Sequence, residues 1–318
     1  MAGTTWHDRP AVALENDLVR LVAVPALGAR VVSLVDRRTG REWLVGGEPL
    51  GIADAERWSS EDAVFGGAEA FGWDECLPTV APCPDPLDPA GPPLRDHGDQ
   101  WGRATSVEAG LDGLSAAWAS PRWPLVLRRT LRLDGPAVVA EYRLDAHGDR
   151  ALPVLWSMHA LLALEPGARI VVEPAARARL THHTGLGIAP DLAEIDWPVA
   201  PTATGGSVAL DVVRGVEAGQ AAKLYLAAAG LSTVAARGVD GAELHFAWDR
   251  AVAPALGIWF SYGGWPPGEP GRRHQVAIEP TTSPDDDLAG ALATGRARVV
   301  EPGSPLRWMV RMELVAGS

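Results

Sequence analysis

Lysine is almost absent from this sequence. Lys and Arg together number 28 in 318 residues, and Lys223 is the sole lysine. Acidic residues number 40, which gives a formal net charge of −12 and an isoelectric point near 5.1. Nucleic-acid backbones are gripped by a basic face, so this balance argues against a nucleic-acid partner. The preference for Arg, with 35 Gly and 27 Pro, reads as a genomic bias in composition. Cysteine is scarce too: Cys76 and Cys83 are the only two. Their spacing is that of neither a zinc site nor a Cys-x-x-Cys redox pair, and free thiols are expected. No apolar run reaches the length of a membrane-spanning helix. Residues 1–10 lack the apolar core of a signal peptide. These absences lead us to expect a cytoplasmic protein without a membrane partner.

Helical periodicity is also missing. Short apolar runs broken by turn residues fill the chain instead. They read as strands at residues 18–24, 29–35, 43–45, 105–109, 114–119, 125–133, 137–145, 152–164, 169–172, 208–213, 223–229, 242–248, 255–262, 275–279 and 306–314. Asp112-Gly113 and Asp134-Gly135, each between apolar runs, signal hairpins. Residues 66–93 and 181–207 read as irregular, and only residues 285–294 read as a short helix, with acids at its start. So many strands with so little helix predict an all-β fold, a sandwich or a barrel. No fixed-period repeat suggests a propeller or solenoid. No shift in composition marks a linker, so one domain is expected over residues 1–318.

What stands out is polar. Glu279 ends the run His274-Gln-Val-Ala-Ile-Glu279, and Pro280, which has no N–H, is expected to stop regular pairing there. A carboxylate held at the end of a buried strand is both positioned and partly desolvated, as a general base must be. His159 interrupts an apolar strand with two covered faces. The segment Leu94-Arg-Asp-His-Gly-Asp-Gln-Trp-Gly-Arg103, if extended, puts His97, Asp99, Trp101 and Arg103 on one side, and Gly98 and Gly102 permit close approach. Two His and a Glu lack the nucleophile of a Ser or Cys hydrolase. They are a familiar metal-ligand set, so a metal stays open on the residues alone. Trp73, Asp74 and Glu75 mix aromatic and acid in the irregular stretch. Thirteen Trp offer flat apolar faces of the kind that stack on sugars.

Four pieces resemble the galactose mutarotase (aldose 1-epimerase) family: Phe71-Gly-Trp-Asp-Glu-Cys-Leu-Pro-Thr79, Asp96-His-Gly-Asp-Gln-Trp-Gly-Arg103, Trp156-Ser-Met-His159 and Ile278-Glu-Pro-Thr-Thr282. Leu14-Glu-Asn-Asp-Leu-Val-Arg20 with Gly28-Ala-Arg-Val-Val-Ser-Leu34 is similar to that family's opening hairpin. The resemblance implies a large antiparallel β-sandwich, a small-molecule carbohydrate partner, and an isomerase that opens and recloses a sugar ring at its anomeric carbon without a cofactor or metal. It implies Glu279 as base, His159 as acid at the ring oxygen, and His97 beside them. Arg103 would hold a hydroxyl or an acidic substituent, and Trp73, Trp101 or Trp265 would stack on the ring, while Asp74 is expected to line the site from the mix of aromatic and acid around it. Asp249 is a weak match for an aspartate that binds sugar hydroxyls. A bell-shaped pH profile follows, with Glu279 on its acid limb and His159, raised by a neighbouring carboxylate, on its basic limb. Two alternatives stand beside this reading. One is a carbohydrate-binding protein without turnover. The other is a hexose-phosphate epimerase, which would want Arg103, Arg272 and Arg273 to converge.

Overall fold

A computed structural model describes residues 2–48, 57–66, 69–110, 113–266 and 273–317. Asp112 and Arg272, singled out above, lie outside the described residues. Among the described residues the strands form a 14-stranded sheet, an 8-stranded sheet and a two-stranded ribbon. The fold is an all-β antiparallel sandwich of the expected class. Leu, Val, Ile and Trp from the inner faces of both large sheets make one extensive buried cluster. No described helix is long and apolar enough to cross a membrane.

The middle of the large sheet matters most for function. Its order there is Trp73–Cys76, Ser157–Leu162, His274–Thr281, Ala255–Tyr262, Gln220–Ala227 and Arg177–Thr184. Every residue of Ser157–Leu162 is buried, which suits a central strand covered on both sides.

The structure departs from the sequence reading at four places. The irregular stretch 66–93 contains the strand Trp73–Cys76, all four residues buried. It is too short between Gly72 and Pro78 to show a period. The run 152–164 splits into Leu152–Val154, which pairs with Arg298–Val300, and Ser157–Leu162 in the large sheet. The amides of Leu155 and Trp156 leave the ladder between them, for Pro78 O and Thr282 Oγ1. Pairing also continues past Glu279, through Pro280 opposite Leu256 to Thr281 opposite Ala255. On the other side, Thr282 N and the hydroxyls of Thr281 and Thr282 all donate to Trp156 O. They supply the donors that Pro280 lacks. Similarly, the stretch 181–207 holds the end of Arg177–Thr184 and the short strands Glu194–Asp196 and Val199–Pro201. The short helix is Leu288–Ala293, capped by Asp287, whose side chain accepts from Gly290 N at 2.7 Å.

Candidate active site

Directly opposed residues of neighbouring strands point to the same face. Asp74 lies opposite His159. Ser157 opposite Thr281 and Leu161 opposite Ala277 set His159 across from Glu279. Glu279 lies opposite Gly257, and Gly257 opposite Tyr225. The next row on that face runs Leu161, Ala277, Trp259, Lys223, His182. Residues distant in sequence thus converge by register alone. Of these, His159, Glu279, Trp259, Lys223 and His182 floor a cavity of about 510 Å³, walled by the loops that carry Phe65, Val80 and His97.

Glu279 is the hub. Its side chain is 2% exposed; Oε2 accepts from Lys223 Nζ, and Oε1 stands 4.0 Å from His159 Nε2. Lys223 is one row away and two strands over, so Glu279 must lie across the strand between. Gly257 permits this. A Cβ there would sit 2.9 Å from Glu279 Oε2 and 3.2 Å from Tyr225 Cε1. One carboxylate oxygen is therefore committed to the cation, and the other is left toward the imidazole.

His97 arrives from a loop. Its backbone is left-handed at φ 55°, and its amide donates to Val80 O at 2.6 Å. Its Nδ1 is 2.7 Å from Asp96 Oδ1, while Asp96 Oδ2 accepts from Phe65 N at 2.8 Å. The carboxylate can only accept, so Nδ1 carries a proton toward it. The ring stacks on Phe65 at 4.1 Å and meets His159 edge to face at 4.9 Å. Burial, followed by the positive groups His97, Lys223 and Arg30, holds His159 well below the ordinary imidazole range. The sequence reading expected the carboxylate to raise it. Desolvation wins instead, because Lys223 already neutralises that carboxylate.

Several expected ligand contacts fall elsewhere. Trp73 and Trp101 are fully buried and do not line the cavity. The Arg129 guanidinium covers Trp73 at 5.0 Å, and Trp101 Nε1 donates to Asp96 O. Asp74 accepts from Arg30 Nε at 2.9 Å, away from the cavity. Arg103 is spent on Asp99 and Glu61. Asp249 accepts from Ala251 N in a surface turn. The segment 94–103 is not extended. Left-handed residues at His97, Gly98 and Gly102 turn its side chains apart. Gly98 is a close approach, since a Cβ would meet Leu77 O at 2.2 Å. Trp265 does line the cavity, with Trp259 edge-on at 6.1 Å and His182 at 5.4 Å. Lys223, Trp259, Asp96, Phe65, His182 and Gln275 also line it and were not picked out from sequence. Lys223 did carry one signal: a charge inside the apolar run Ala221-Ala-Lys-Leu-Tyr-Leu226. Arg273 does not line the cavity, and Lys223 is the one Lys or Arg among the described lining residues.

Solved structures of the same architecture match the chain from end to end. A galactose mutarotase-like protein from Lactobacillus casei is 16% identical, with a TM-score of 0.63 over 96% of this chain and 100% of that one. The fold is galactose mutarotase-like. A galactose mutarotase-like protein from Clostridium acetobutylicum is 11% identical, with a TM-score of 0.68 over 98% of this chain and 97% of that one. An aldose epimerase homologue from C. elegans is 11% identical, with a TM-score of 0.64 over 97% and 99%. No family model matches the chain, nor does any curated protein. Identities this low establish the mutarotase-like fold and leave the chemistry to the residues themselves.

Proposed function

We propose that the protein is an aldose 1-epimerase-like isomerase, which interconverts the α and β anomers of a free sugar. The observation that carries the reading is the 4.0 Å gap between Glu279 Oε1 and His159 Nε2 inside a cavity that can hold a sugar. The two oxygens that exchange protons in ring opening, O1 and O5, are both bonded to C1. A base and an acid serving them must therefore stand a few ångströms apart.

In this reading Glu279 takes the O1 proton. The O1–H electron pair becomes the second C1–O1 bond, the C1–O5 bond breaks, and O5 receives a proton from the imidazole pair. Rotation about C1–C2 presents the other aldehyde face, and the same steps reverse to close the ring. Lys223 holds Oε2, which fixes the carboxylate with Oε1 toward the reacting oxygens. Asp96 fixes the tautomer and angle of His97. Trp265 and Trp259 offer apolar faces to the ring. A phosphorylated substrate fits less well, since the described lining residues include no arginine for a phosphate and Lys223 is already paired.

Polarimetry of freshly dissolved α-sugars tests the proposal. The protein should speed the approach to equilibrium rotation for at least one sugar, and Glu279→Gln should lose roughly 10²–10⁴-fold of that rate. A sugar that binds tightly while its mutarotation stays at the buffer rate would make the protein a carbohydrate-binding module instead.

A further inference from the structure

Cys76 was set aside on sequence because no second cysteine stands at zinc spacing. In the fold it comes to lie beside the two imidazoles. Cys76 and Ser157 are cross-strand partners, as are Asp74 and His159, so Cys76 and His159 are diagonal neighbours on one face. The ligand-capable atoms of Cys76, His97 and His159 all lie within 4.8 Å of one another. Tetrahedral zinc with one sulfur and two nitrogens places its donors roughly 3.3–3.6 Å apart, from bond lengths of about 2.3 and 2.0–2.1 Å. Closing on an ion therefore asks for side-chain shifts of roughly an ångström, within reach of rotations about χ1 and χ2.

Two further features make the set more than a coincidence of side chains. Asp96 holds His97 by Nδ1 at 2.7 Å, the carboxylate–histidine arrangement that orients metal-bound imidazoles and raises their basicity. His159 meets the His97 ring edge to face at 4.9 Å, so the two imidazoles are already adjacent. A thiol with two imidazoles is a soft donor set, suited to Zn²⁺ over Mg²⁺ or Ca²⁺. His97 and His159 line the cavity and Cys76 is buried behind it, so three protein ligands leave a fourth position for water or a ligand on the cavity side, beside Glu279.

We propose that Cys76, His97 and His159 form a reversible site for a soft divalent cation such as Zn²⁺, and that the bound ion withholds both imidazoles from the sugar. Binding releases the thiol proton of Cys76 to solvent, and the thiolate and two neutral imidazoles each donate an electron pair to the ion. The blocking half of the proposal rests on the isomerase reading above; the site itself does not.

Titration of the whole protein with Co²⁺, followed by optical absorption, is the direct test. One ion per chain should produce a near-ultraviolet thiolate-to-metal band with the visible bands of a tetrahedral centre. Cys76→Ser should lose the near-ultraviolet band, and Asp96→Asn should weaken the ion by roughly 10–100-fold while keeping the band. Zn²⁺ should raise Tm in the wild type. If Cys76→Ser does not fold, His159→Asn replaces it and should lose this rise. Absence of a thiolate band, or an unchanged titration in these variants, would overturn the site. Polarimetry on the same samples separates the claims. Turnover unmoved by saturating Zn²⁺ overturns the blocking half. An ion bound with the thiolate band, in a protein that turns over no sugar, removes the isomerase reading and leaves the site intact.

Discussion

Replacing Lys223 by Met removes the cation from the buried pair with Glu279, whose side chains are 9% and 2% exposed. The next group near the carboxylate is His159 at 4.0 Å, which its surroundings keep neutral. Stripping one partner from a buried pair costs about 3–5 kcal/mol. The variant can limit that cost by protonating the carboxyl. Starting from an ordinary glutamate value of about 4.3, neutralisation at pH 7 costs about 3.7 kcal/mol, and at pH 5 about 1 kcal/mol. Above about pH 4.3 the unfolded chain releases this proton while the folded variant keeps it. Variant stability, relative to wild type, therefore falls as pH rises. Denaturant unfolding at pH 7 and pH 5 should give losses of at most about 3.7 and about 1 kcal/mol, with a slope near 1.4 kcal/mol per pH unit between them. Adding Glu279→Gln should recover much of the loss, with a coupling of about 2–3 kcal/mol in the double-mutant cycle. Equal losses at both pH values, or additive single-site effects, would refute the idea that the two side chains act as one buried ion pair.

Three further outcomes follow from the same geometry. Gly257→Ala puts a methyl 2.9 Å from Glu279 Oε2; it should cost about 1–3 kcal/mol in unfolding and lower turnover by moving the carboxylate. The imidazolium form of His159 is depleted below the ordinary range, so the basic limb of kcat/KM should lie under about pH 6.5 and vanish in His159→Asn; a limb above pH 7.5 would contradict His159 as the proton donor. Trp259→Ala and Trp265→Ala should each raise KM several-fold with a smaller change in kcat, since stacking of roughly 0.5–1.5 kcal/mol serves substrate and transition state alike.

The strands could be read from the sequence because alternation is local, and Ala255–Tyr262 matches its sequence range residue for residue. His159, Glu279 and His97 were found because each breaks an apolar or glycine-rich context, and the fold brings all three to one cavity. What escaped was register and backbone hand. Lys223 faces Glu279 only because two strand pairings align their rows, and no local pattern encodes a pairing 56 residues apart. Residues 94–103 looked extended, yet positive φ at His97 and Gly98 sends Trp101 into the core and Arg103 toward Glu61. The Trp73–Cys76 strand was invisible for want of length, and its burial takes Trp73 and Asp74 out of reach of a ligand while setting Cys76 beside the imidazoles. The direction of the His159 shift needed its burial and, after that, the neighbouring His97, Lys223 and Arg30, which only the fold brings to it.

Exchange between α and β anomeric proton signals, followed by NMR in equilibrated sugar solutions, tests the central claim most directly. The account predicts that wild-type protein transfers magnetisation between the two anomers of at least one unphosphorylated aldose, and that Glu279→Gln, with its fold intact, does not. Exchange in the Glu279→Gln protein at the wild-type rate would contradict it.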